Sequence, residues 1–218
     1  MWSTTGLHLY QKVRRQKEKL FIVQLTSRCR IMKKPEIVEV IPTKKIIVGN
    51  DDAPITLMEF GDYESIECAK ANEVVKVILD AYPQEVKFMF RHFPLLKFHQ
   101  KAHKAAEASL AAAQEGKFWE MHNELFANRH SLGTISLKGH ARDVGVKSKK
   151  FLEELINGLY GIYVQDDLKE GMRMGVTSIP AFFINGKRVE GEATYKNIAA
   201  AIEEVLKTQK SKAVKKAA

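Results

Sequence analysis

The 218-residue chain has only two cysteines, six prolines and two tryptophans, and no long apolar run. Two cysteines cannot supply the multi-bridge framework of a small secreted domain. No stretch approaches the roughly 18 apolar residues that cross a bilayer. The longest run near the start, Leu20-Phe21-Ile22-Val23, is shorter than the ~7–15-residue core of a secretory signal. These absences predict a soluble, cytoplasmic protein without a membrane-spanning helix. A glycine-rich phosphate loop and the spacing of a Ser-His-Asp set are also missing. What is present is an ordinary globular composition, 45% hydrophobic and 28% charged, in a chain long enough to bury a real core.

The net charge of +9 is unevenly spread. Residues 1–31 carry seven Lys or Arg against one acid, Glu18, and residues 207–218 carry five Lys and no acid. Removing +6 and +5 leaves −2 for residues 32–206. The basic character belongs to the two ends, which read as solvated and do not form a specific nucleic-acid surface. The acid-poor start also fits a transit segment, and Met32 is a second plausible start. The expected organisation is a basic leader over 1–44, one domain built from 45–98 and 175–206, a helical insertion over 99–174, and a basic tail over 207–218.

Hydrophobic periodicity supplies the elements. Ile37-Val38 and Ile46-Ile47-Val48 suit an edge strand. Ile55-Thr56-Leu57-Met58-Glu59-Phe60 reads as a strand covered on both faces. Residues 65–80 predict a helix whose inward face is Cys68, Ala71, Val74, Val75, Ile78 and Leu79, ended by Tyr82-Pro83. Val86–Phe90 alternates as a second strand, so residues 55–90 form a β-α-β unit with parallel strands. Residues 99–173 read helical throughout, with segments at 101–114, 118–127, 149–159 and 164–174. A strand at 181–184, the Asn185-Gly186 turn, a return at 187–190 and a helix from Thr194 to Leu206 complete the plan.

This order, β-α-β then helices then β-β-α, resembles the thioredoxin fold as elaborated in DsbA-like proteins, over roughly residues 49–206. Four segments carry the resemblance: Ala53-Pro54-Ile55-Thr56-Leu57-Met58-Glu59-Phe60-Gly61-Asp62-Tyr63, Arg91-His92-Phe93-Pro94-Leu95, Gly116-Lys117-Phe118-Trp119-Glu120-Met121-His122, and Gly175–Gly186 with Ile179-Pro180. The fold expected is therefore α/β, thioredoxin-like, with an inserted all-helical subdomain. The resemblance implies a thiol–disulfide oxidoreductase ancestry and a cis proline at Pro180 whose preceding residue, Ile179, hydrogen-bonds an extended substrate.

At the strand-to-helix turn the family has Cys-x-x-Cys, and this chain has Ser65-Ile66-Glu67-Cys68. The first sulfur of such a motif is the attacking thiolate and the second resolves the mixed disulfide. An oxygen at Ser65 cannot form the S–S bond, so the dithiol cycle is expected to fail. Ser65 instead suits a helix N-cap, and Cys68 a buried small residue. Three readings stay open. The first is a redox-impaired protein keeping a peptide- or thiol-binding groove around Ser65, Ile66, Glu67, Cys68, Ile179 and Pro180. The second is a glutathione-dependent enzyme, working through Cys68 as a monothiol or through Ser65 as in kappa-class transferases, whose Ser-Pro motif Ile66 does not match. The third is a non-catalytic interaction protein. Glu64 and Glu67 are expected to oppose a Cys68 thiolate. Expected partners are protein thiols, disulfides or an extended peptide, with glutathione as the one candidate small molecule. His99, His103 and Glu107 share a helical spacing but cannot converge on a metal, so no metal site is expected. His92 reads as a hydrogen-bonded structural residue, and Phe118, Trp119 and Met121 as packing of the insertion.

Overall fold

Ile55–Gly61 forms the central strand of a five-stranded sheet in a computed structural model that describes residues 40–217. The expectations for Cys29, Met32 and Ile37-Val38 lie outside the described residues. The strands are β1 (Ile47–Gly49), β2 (Ile55–Gly61), β3 (Val86–His92), β4 (Ala181–Ile184) and β5 (Lys187–Arg188). Their order is β1-β3-β2-β4-β5. Among the described residues only β2 and β3 run parallel, joined by the crossover helix α1 (Ile66–Ala81). The other pairs are antiparallel. Asn185 and Gly186 both take positive φ (49° and 84°), as a two-residue turn between twisted strands requires.

Side-chain alternation along β2 divides the interior into two cores. Ile55 and Leu57 join Phe88, Phe90, Phe182 and Ile184 in the larger core, where Cys68, Ala71, Val75 and Ile78 of α1 pack. Phe60 turns to the other face and meets Phe93, Val176, Ala181 and Phe183. Phe60 lies edge-on to Phe93 and Phe183, with centroids 6.3 and 5.8 Å apart. Period two also places Glu59 on the Leu57 face, toward α1.

The insertion contains α2 (Ala102–Ala113), α3 (Phe118–Ala127), α4 (Thr134–Asp143), α5 (Phe151–Ile156) and α6 (Gly161–Arg173). α4 falls inside the stretch expected to be helical throughout but outside its four named segments. Only Leu137 and Ala141 of α4 are buried and Ile135 is exposed, so its apolar stripe is too sparse to register. α6 approaches the smaller core closely enough that a Cβ on Gly171 would lie 2.6 Å from the Phe93 ring.

Several boundaries differ from the sequence reading. β3 runs two residues beyond Phe90, because Arg91 and His92 stay in register with Phe60 and Gly61 and find buried partners. Residues 40–44, grouped with the leader by charge, are part of the fold: Val40 and Thr43 are buried, and Thr43 Oγ1 donates to Asp167 Oδ1 at 2.7 Å. The last helix, α7 (Tyr195–Ala217), passes beyond Leu206. Neither glycine nor proline follows Leu206 to stop it.

Candidate functional site

Helix α1 begins where β2 leaves the sheet. Ser65 is its N-cap, with extended φ and ψ of −70° and 129°, and its hydroxyl accepts the Cys68 N–H at 3.2 Å. The same hydroxyl donates to Glu67 Oε2 at 3.2 Å. Ser65 is therefore buried and engaged as both donor and acceptor. Ser65→Ala should cost about 1 kcal/mol of stability, read as a lower urea midpoint with unchanged slope.

Cys68 sits three residues into the cap, fully buried against the larger core. Burial, above all, raises its thiol pKa, and the Glu59 carboxyl adds to the rise. Hydrogen bonding from Ser65 and the Asp62 backbone pulls the other way, and Asp62 itself opposes ionisation. The acids that weigh most on Cys68 are thus Glu59 and Asp62. Glu59 is buried with Oε1 unpartnered among the described residues, and burial raises its pKa so that the neutral acid is favoured. Sequence reasoning placed Glu59 in a strand without giving it a role. The usable signal is a lone carboxylate in an otherwise apolar central strand.

The turn before α1 is tied to the loop after β3. Asp62 Oδ2 accepts the Leu95 N–H at 2.8 Å and lies 2.8 Å from His99 Nδ1, while Asp62 Oδ1 accepts the Glu64 N–H at 2.8 Å. Glu64 Oε2 accepts the Lys101 N–H at 2.7 Å. His99 precedes α2 and pairs with Asp62, while His103 lies on α2 and pairs with Glu107 at 3.1 Å. The expected shared helical face therefore does not form. Among the described residues, no group of three or more His, Cys, Asp or Glu is arranged to hold a metal.

Ile179–Pro180 is a cis peptide bond. The β2–β4 register pairs Phe60 with Ala181, so Pro180 stands beside the Gly61–Asp62 segment leading into Ser65. Ile179 and Pro180 are half-buried, whereas Ile66 and Glu67 are exposed at the mouth of α1. The fold thus brings the two distant halves of the sequence-predicted site to one sheet end.

Beneath the site lies a buried polar relay. Tyr63 Oη is 3.1 Å from His122 Nδ1, and His122 Nε2 is 3.1 Å from Asn72 Oδ1. The carbonyl oxygen of Asn72 fixes Nε2 as the protonated nitrogen, so Nδ1 accepts the Tyr63 O–H. His92 is 3.4 Å from Ser109 Oγ through Nε2, with Nδ1 unpartnered among the described residues. Burial lowers the His92 pKa to about 4; Arg91 and His103 reinforce this, and Asp167 opposes it. Burial likewise holds His122 well below its usual value. A histidine kept neutral in the fold takes up protons only on unfolding below pH ~6.5. Its stabilising contribution is complete above that pH and is lost as pH falls toward 4. His92 alone should account for about 3 kcal/mol by pH 4. Glu59, raised by burial, acts in the opposite sense, so urea midpoints from pH 7 to 4 are best compared in Glu59→Gln.

A family model described as thioredoxin matches residues 42–204. Oxidised BdbD from Bacillus subtilis superposes with a TM-score of 0.68 at 28% identity, covering 74% of this chain and 92% of that one. A thioredoxin-like oxidoreductase from Silicibacter pomeroyi DSS-3 gives 0.66 at 24% identity over the same shares, which speaks to the fold alone. The Na(+)/H(+) antiporter NhaA 1 of Salinispora arenicola is 32% identical over 166 residues, 76% of this chain and 25% of the antiporter. That of Mycobacterium sp. strain KMS is 34% identical over 152 residues, 69% of this chain and again 25% of the antiporter. The chain thus spans a quarter of the length of the curated relatives it matches. Among the described residues no helix is long and apolar enough to cross a membrane.

Proposed function

We propose that this chain, which belongs to the DsbA-like thioredoxin family, is a redox-impaired member that keeps a peptide-binding groove but cannot run a dithiol cycle. One observation carries the reading: the position of the attacking sulfur holds Ser65, whose hydroxyl is occupied by the Cys68 N–H and the Glu67 carboxylate. Thiol–disulfide exchange needs a thiolate that attacks one sulfur of a disulfide and expels the other. A serine oxygen cannot become a partner in an S–S bond, and the carboxylate that its hydroxyl meets, Glu67, is exposed to solvent and poorly placed to activate it for another nucleophilic role.

Ile66, Ile179 and Pro180 around the same sheet end offer an apolar edge to an extended peptide or a protein thiol. The glutathione-dependent alternatives draw less support. A monothiol at Cys68 needs access and a thiolate, and burial opposes both. A transferase role for Ser65 needs its hydroxyl turned to a bound thiol, away from Glu67. A reducing compartment such as the cytoplasm suits a chain with two cysteines.

The test is insulin reduction by dithiothreitol. The natural protein should leave the precipitation time unchanged. Acceleration that scales with protein concentration would refute the reading.

A further inference from the structure

A cleft of about 360 Å³ opens between β1, β3, α1 and α3, about two to four turns along α1 from Ser65. Its volume is at the low end of the range for small-molecule sites, enough for one ring system. Val48, Phe88 and Trp119 form an apolar wall, and Asn72, His122 and Asn123 gather at one end. Trp119 is held edge-on to Phe118 and His122, with centroids 4.9 and 5.2 Å apart, so its ring is fixed in place.

The polar end is only partly satisfied. Asn123 Oδ1 accepts from Asn72 Nδ2 at 3.1 Å, and Asn123 Nδ2 donates to the Trp119 carbonyl at 3.0 Å. A primary amide has two N–H groups and two lone pairs, so Asn123 retains one of each. Charge at the mouth leans negative. Lys76 is already paired with Glu73 at 2.7 Å, and Asp80 faces solvent nearby. This arrangement does not favour an anion.

We infer that this cleft binds a neutral, planar heteroaromatic ring that lies against Trp119 and presents an adjacent donor and acceptor to the Asn123 amide. An adenine-like edge has that pattern, and a side-chain amide pairs with it through two hydrogen bonds. Aromatic stacking supplies the rest of the affinity. Nothing in this inference requires the site at Ser65 to be active or inactive.

The test is a titration of the full chain, ¹⁵N-labelled, with 9-methyladenine and with 9-methylpurine, which lacks the amino donor. 9-Methyladenine should give saturating shifts of the Trp119 indole and of the Asn72 and Asn123 side-chain amides, and 9-methylpurine should bind about tenfold more weakly. Asn123→Leu, at an exposed position, should weaken 9-methyladenine about tenfold and erase the difference between the two probes. Val48→Phe, which fills the cleft while leaving the amides in place, should abolish binding of both. Absence of saturation, equal binding of the two probes, discrimination surviving in Asn123→Leu, or undiminished binding in Val48→Phe would each overturn the inference.

Discussion

Ser65→Cys should convert a protein inert toward insulin into one that accelerates its reduction by dithiothreitol. The introduced thiol would stand at the N-cap of α1, where unpaired N–H groups and the helix dipole favour an anion. Cysteines so placed have pKa values of ~3.5–7.5 against about 8.5 in the open chain, so the thiolate fraction at pH 7 should rise about tenfold or more. The resolving position is already filled. Residues 65 and 68 stand three apart at the start of α1, the spacing of a Cys-x-x-Cys pair, so the two thiols could form one disulfide. Burial works against ionisation of Cys68, so the introduced thiol should attack and Cys68 should resolve the mixed disulfide. A correctly folded Ser65→Cys variant that remained silent would mean that the groove, and not only the sulfur, has been lost.

Asp167→Ala should be among the most damaging single changes, at about 3–5 kcal/mol. Asp167 Oδ1 accepts from Thr43 Oγ1 and from Arg91 Nε, both at 2.7 Å, and Oδ2 accepts the His92 N–H at 3.1 Å. Arg91 is almost wholly buried and also pairs with Glu170 at 2.7 Å. Burial works against its charge, but Asp167 and Glu170 outweigh that and raise its pKa. Removing Asp167 would leave a buried guanidinium with only Glu170, itself shared with the exposed Lys44. It would also strip the partner from Thr43 and the end of β3. The measurement is the urea midpoint. A loss within about 0.5 kcal/mol, the usual range for a surface change, would show that the network does not hold α6 to the sheet.

The fold was legible where local chemistry and tertiary packing agree. β2, α1, β3 and the Asn185-Gly186 hairpin follow from periodicity, a serine cap and positive-φ turn residues, all of which act over a few positions. The expected Ser65 cap and the inward face of Cys68 belong to the same class. α4 lay within a stretch read as helical, but its bounds were not legible because two buried residues in ten do not make a readable stripe. The Arg91–Asp167 pair escaped because its members are 76 positions apart, and a charged residue in sequence gives no sign of the partner that will accompany it inward.

By itself the sequence determined the family resemblance, the order of elements and the replacement of sulfur by oxygen at Ser65, because these depend on residue identity and short-range spacing. Only the tertiary structure decided that Glu59, buried on the helix side of β2, bears on Cys68. It alone opened the cleft between Asn72 and Trp119. The physical reason is that electrostatic influence and burial depend on distance through space and on the loss of solvent. Strand register and helix packing set both, for residues whose positions along the chain give no warning of their meeting.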